Sequence, residues 1–321
     1  MPGMTADPDK LARWLDPEMR AFLDRSASFY PLEANTADIA EARRLYARLT
    51  AAFRAPRPAG VGVADGTLPT ASGAVAVRRY RPARPAAAAL LYAHGGGFIL
   101  GGLESHDDVC AELCAGAGVD VLSVDYRLAP EHPYPAALDD VAAAWHALAA
   151  EGRPALVGGD SAGGHLAAGL CRRLARRGAP QPAGQVLIYP GLSFDPARLG
   201  TGRAADAPGL TAADCAYYAR LYAGGAEKLP QGDPEFSPLD AGDFAGLAPA
   251  AVFAAGYDPL RQDAEDYAAL LHAAGVPVAY RCDPGLIHGW LRARRMSRLA
   301  ARAFAAVVRA TAALAAGESP E

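Results

Sequence analysis

The sequence predicts an α/β protein whose central sheet is mostly parallel and covered by helices on both faces. Three observations carry that expectation. Dense apolar runs of strand length recur along the chain: "AALLYAH" at 88–94, "VDVLSVDYR" at 119–127, "PALVGGD" at 154–160, "GQVLIYPGL" at 184–192 and "PAAVFAAGYD" at 249–258. Stretches of helical length separate most of them, and no internal repeat is present. Strands apolar on both faces that alternate with helices form parallel βαβ units and stack into an open, doubly wound sheet.

Taken in order, residues 8–53 read as two or three amphipathic helices. Asp16-Pro17 marks one start, since aspartate caps a helix and proline suits its first turn. Leu15, Met19, Phe22 and Leu23 then share a face, as do Ile39, Leu45, Leu49 and Phe53 further on. "RAPRPAG" at 54–60 is a turn-rich joint, so residues 1–55 are set apart from a main domain spanning 56–321. "VAVRRYRP" at 75–82 alternates like an edge strand. Helices are expected at 107–117, at 137–152 with Gly152 as its stop, and from Ser161 to Gly178. Residues 195–240 are rich in Gly, Pro and Asp, with a helical patch at 214–222. A helix around "DAEDYAALLHAAG", the strand "VPVAYRCD" and a long terminal helix over 292–316 complete the pattern.

Composition narrows the function. Half of the 321 residues are hydrophobic and the net charge is −4 without blocks of one sign, so a large core is expected and a nucleic-acid footprint is not. Lys10 and Lys228 are the only lysines; with the heavy alanine content, this suggests a GC-rich bacterial genome. Five scattered cysteines argue for free thiols in a reducing compartment rather than a disulfide framework. The N-terminus lacks the charged-then-apolar order of a secretion signal, and no run has the roughly 20 apolar residues of a membrane span. The expectation is a cytoplasmic protein without stable membrane insertion.

The chemistry concentrates in "GGDSAGGHL". Gly159 to Gly163 fits G-x-S-x-G between a strand and a helix, where a tight turn would push the Ser161 hydroxyl out at the strand's carboxyl end. Serine attacks only when a base takes its proton, and in such elbows an acid and then a histidine follow in the chain. Of the downstream histidines, His165 lies one turn into the helix and His272 sits mid-helix, whereas His288 stands in a loop beyond a strand. Asp258, just past the apolar run at 249–257, suits the orienting carboxylate. Gly95, Gly96 and Gly97 follow the strand ending at His94. Their bare backbone can turn amides toward a developing oxyanion, together with the amide of Ala162. The ring of His94 is expected to anchor this loop. Phe98, Phe194, Leu210, Tyr217, Tyr218 and Trp290 are candidate pocket residues, each equally suited to ordinary packing.

These segments resemble the hormone-sensitive-lipase group of the α/β-hydrolase superfamily, the family IV esterases. The resemblance rests on "HGGGF" at 94–98, "VDYRLAPEHPYPAALDD" at 124–140, "GDSAGGHL" at 159–166, "LIYPGL" at 187–192, "AGYDPLRQDAEDYAALLHAAG" at 255–275 and His288. It implies an α/β-hydrolase fold with a helical cap made from the N-terminal segment and the 195–240 insertion. It implies Ser161 as nucleophile, Asp258 as orienter and His288 as base. Gly96, Gly97 and Ala162 would be the oxyanion donors, with Gly95 shaping the loop and Tyr126, Arg127, Glu131 and Asp139 structural. His165 stands where the family often has Asn. The implied reaction is hydrolysis of short- to medium-chain acyl esters of a small molecule, with no metal or organic cofactor. Homodimers through the last strand and helix are a family habit that residues 292–316 would serve. A lyase, cyclase or acyltransferase using the same site, or a deacylase of secondary metabolites, is the alternative. A non-catalytic binding module on this scaffold would usually lack the histidine.

Overall fold

The computed structural model describes residues 15–30, 38–199, 204–205, 207–225, 229–230, 232–240 and 242–320. Positions 8–14 of the first expected helical stretch, and parts of the 195–240 insertion, lie outside the described residues. Eight strands form one sheet: β1 (Gly62–Thr70), β2 (Gly73–Arg81), β3 (Ala89–Ala93), β4 (Asp120–Asp125), β5 (Ala155–Asp160), β6 (Gly184–Ile188), β7 (Ala250–Tyr257) and β8 (Val278–Ile287). Their spatial order is β1-β2-β4-β3-β5-β6-β7-β8. β2 runs antiparallel to β1 and β4, and all other pairs are parallel. The alternating segment at 75–82 is therefore not the edge. β1, polar and largely exposed, covers its outer side.

The helices are α1 (Pro17–Ala27), α2 (Ile39–Phe53), α3 (Asp107–Ala117), α4 (Ala136–Ala149), α5 (Ala162–Arg176), α6 (Ala212–Tyr222), α7 (Arg261–Ala273) and α8 (Arg298–Ala315). Asp16 caps α1 by accepting from the amide of Glu18, with Pro17 in the first turn. The long terminal helix is divided: a 3₁₀ stretch over Trp290–Arg295 precedes α8, and Ser297 caps α8 between them.

The sheet separates two cores. On β3, Ala89, Leu91 and Ala93 face a cluster that includes Leu138, Trp145 and Leu166. Leu90 and Tyr92 face the other, with Phe22, Leu113 and Phe304. Burial of each large apolar side chain is worth roughly 1.5–3 kcal/mol, which is why such continuous runs must be interior strands. Cys110, Cys114, Cys171 and Cys215 are buried free thiols and Cys282 is partly exposed.

β3 has β4 on one side and β5 on the other, so chain order reverses there. In open parallel sheets, the crevice beyond the carboxyl ends at such a reversal is where ligands bind. The loops after β3 and β5 both open into it.

Candidate active site

Register builds the site. Ala93 of β3 pairs with Gly159 of β5, which brings the loop at 94–97 level with Asp160 and Ser161. Ser161 has φ 54° and ψ −120°, a conformation L-residues avoid, at a cost of order 1–3 kcal/mol. Its amide donates to the Ile188 carbonyl at 2.9 Å. The flanking glycines allow the backbones to touch. A Cβ on Gly163 would lie 1.9 Å from the Ala93 carbonyl oxygen, and one on Gly159 would lie 2.3 Å from it.

The same logic delivers the other two polar groups. Tyr257 of β7 is level with Ile287 of β8, so Asp258 and His288 leave the sheet side by side. The register is 255 with 283 one step earlier, so β8 carries two extra residues around Pro284 and Gly285. Gly256 admits that irregularity, because a Cβ there would come within 2.5 Å of the Pro284 backbone. His288 Nδ1 meets Asp258 Oδ2 at 2.7 Å, and His288 Nε2 meets Ser161 Oγ at 2.8 Å. A carboxylate can only accept, so Nδ1 carries the hydrogen and Nε2 is free to accept from the serine hydroxyl. The other Asp258 oxygen accepts from the Leu260 amide at 2.9 Å, and the carboxylate is buried. His165 instead bonds the Gly191 carbonyl through Nδ1, and His272 is exposed on α7.

Gly96, Gly97 and Ala162 line the cavity with Ser161, and their amides have no acceptor among the described residues. Gly95 departs from the expectation of an oxyanion donor: its amide donates to Asp160 Oδ1 at 3.0 Å, and a Cβ would strike that carboxylate at 2.4 Å. The ring of His94 stacks on Tyr126 at 4.2 Å, and Tyr126 donates to the His94 carbonyl. Burial pulls the pKa of His94 down to about 3.

The cavity holds about 330 Å³. Phe98, Phe194, Leu210 and Tyr218 line it. Trp290 and Tyr217 do not. Trp290 is buried beneath the site, edge-on to Tyr189 at 5.7 Å, because the 3₁₀ turn after His288 directs it into the core. Tyr217 packs with Ile99 and Leu100, on a different side of α6 from the cleft-lining Cys215 two residues earlier.

Sequence reasoning gave Asp160 no role beyond its motif. Its carboxylate accepts from Tyr92, Gly95 and His106 at 2.8, 3.0 and 3.2 Å and from Tyr189 at 3.3 Å. Burial pushes its pKa up, but His106, Tyr92 and Arg292 outweigh burial and hold the carboxyl below its usual range. Asp160 thus ties the Ser161 turn to the glycine loop. Tyr46 and Arg292 also line the cavity, and neither carries a local signal.

A serine on a strained turn at a sheet's carboxyl edge, joined through histidine to a buried aspartate, defines a serine hydrolase of the α/β class. The chain matches the family described as the alpha/beta hydrolase fold over residues 90–292. It belongs to that family, within its hormone-sensitive-lipase esterase group, and is an enzyme of the carboxylesterase class. It is 40% identical over 292 residues to the carboxylic ester hydrolase LipN of Mycobacterium tuberculosis, covering 86% of this chain and 77% of that one. Ethyl acetate hydrolase of Pseudomonas putida is 37% identical over 298 residues, covering 87% and 92%. Among solved structures, an α/β hydrolase enzyme from the metagenome of Lake Arreo, Spain, superimposes with a TM-score of 0.86 at 34% identity, covering 94% of this chain and 98% of that one. Among the described residues, no helix is long and apolar enough to cross a membrane.

Proposed function

We propose that the protein hydrolyses short- to medium-chain acyl esters of small molecules by two-step acyl transfer. His288 takes the proton of Ser161 as its oxygen attacks the ester carbonyl. Asp258 keeps the imidazole in the required tautomer and stabilises the imidazolium. The carbonyl oxygen becomes an oxyanion received by the amides of Gly96, Gly97 and Ala162. His288 returns the proton to the departing alcohol. Water, deprotonated by the same imidazole, then releases the acid and restores the serine. Gly95 acts one step removed, because Asp160 holds its amide and so the curvature of the loop.

The observation that carries this reading is the unbroken Asp258–His288–Ser161 hydrogen-bond chain beside three amides without acceptors among the described residues. The modest cavity and the name of the Pseudomonas putida relative, ethyl acetate hydrolase, favour small acyl groups. Helices α1, α2 and α6 contribute cavity-lining side chains, which suits the N-terminal segment and the 195–240 insertion as a cap.

Ser161→Ala should lower kcat on p-nitrophenyl acetate by on the order of 10⁴-fold or more with the fold intact by circular dichroism. Equal turnover by the two proteins would refute the assignment. Hydrolysis in ¹⁸O-water should place solvent oxygen in the released acid, which a lyase or acyltransferase would not do.

A further inference from the structure

The described walls of the cavity contain one guanidinium, that of Arg292, and one carboxylate, that of Asp160. They are not hydrogen-bonded to each other. The Asp160 oxygens are taken by Tyr92, Gly95, His106 and Tyr189. Arg292 donates through Nη1 to the Ser105 carbonyl at 3.1 Å and through Nη2 to the Tyr46 hydroxyl, and lies over the Tyr46 ring at 4.9 Å. Both acceptors are neutral. A guanidinium has five N–H donors, so three remain without a protein acceptor among the described residues.

The guanidinium is only part-buried, and it lines the cavity beside apolar surface. Leu49 comes from the same helix as Tyr46, Leu291 adjoins Arg292 in the chain, and Phe22 completes an apolar wall of the same cavity. Burial works against the charge, the Asp160 carboxylate and the hydrogen bond to Tyr46 work for it, and arginine keeps its proton in proteins. An occupant of the cavity displaces the water that these donors can meet, so a neutral group leaves them unpaired, whereas a carboxylate meets the guanidinium as a charge-assisted and often bidentate partner.

We propose that Arg292, held in place by Tyr46 and Ser105, is a specificity determinant that recognises a carboxylate on the substrate, making this an esterase for monoesters with one free anionic end. The proposal rests on the triad reading above. The anionic end belongs either to the acyl part, as in a monoester of a dicarboxylic acid, or to the alcohol part, as in an acylated hydroxy acid.

Two substrate pairs differing only in that charge test it with the full-length enzyme. The first is p-nitrophenyl monoadipate against its methyl ester, and the second is 4-acetoxybenzoate against its methyl ester. In one pair the charged member should be favoured about tenfold or more in kcat/KM, as expected when a buried polar site meets its partner, and that pair identifies the anionic side. Arg292→Met should collapse the preference, and Arg292→Lys should retain part of it. Preference for the neutral member in both pairs would overturn the proposal, even if Arg292→Met does not fold. So would a preference that Arg292→Met leaves unmoved, or an equal loss on both members of a pair, the mark of a purely structural tie. Turnover of the neutral members without charge discrimination refutes the role of Arg292 alone. Failure of the wild type on all four esters refutes the triad reading as well.

Discussion

Ser161 and Tyr218 line one cavity but arrive by different means. Ser161 is placed by backbone against backbone: β5 in register with β3, and Gly159 and Gly163 too close to Ala93 for any side chain. Tyr218 belongs to a wall assembled from side chains of α1, α2, α6 and the segment after β6, each from a distant part of the chain. The two meet at Gly97, where a Cβ would lie 2.7 Å from the Tyr218 ring. The contrast separates two kinds of specification. The Ser161 turn is set by close main-chain approach, which leaves glycines as its trace. The cavity wall is set by converging side chains, which leave none.

The largest expected effect probes the main-chain half. Asp258→Asn keeps the shape but offers an amide where Nδ1–H needs an acceptor, so kcat on p-nitrophenyl acetate should fall by roughly 10³–10⁴-fold. Near-normal kcat would mean that strand register does not set the chemistry. Next comes a pair of glycines. Gly163→Ala drives a methyl into the Ala93 carbonyl, which the sheet cannot move, and should cost more than about 3 kcal/mol in chemical denaturation. Gly232→Ala, on an exposed turn with nothing within 4 Å of the new methyl, should stay within about 0.5 kcal/mol. Similar losses at both sites would dissolve the contrast.

The smallest effect sits where the two halves join. His165, on α5, bonds the Gly191 carbonyl and packs against Phe98 and Phe194. Burial lowers its pKa to about 4. The unfolded chain, with an ordinary histidine near 6.5, therefore binds more protons than the folded one between those values. Stability from this group is fully present above about pH 6.5 and is lost as pH falls toward 4, at up to roughly 1.4 kcal/mol per pH unit. His165→Asn, which removes the titration, should show a smaller drop in Tm between pH 7 and pH 4.5 than the wild type. Equal drops would remove His165 as an acid-sensitive joint.

The interior strands and α5 were legible because continuous apolar runs and a glycine-flanked serine each have one economical structural solution. His288 and Asp258 were legible by chain order and loop position. The division of the terminal helix at Ser297 was missed because its apolar periodicity runs on past the cap. β1 was missed because an exposed, polar edge strand carries little hydrophobic signal.

By itself, then, the sequence determined the α/β architecture, the strained turn at Ser161, the bare loop at 95–97 and which carboxylate and imidazole meet there. Those depend on local sterics and burial, which residue type encodes directly. Only the tertiary structure decided that Gly95 gives its amide to Asp160, that Trp290 turns into the core, and that Arg292 with Tyr46 enters the cavity. Such outcomes depend on which distant side chains share a volume. That is a property of strand register and packing, with no counterpart in any short stretch of the chain.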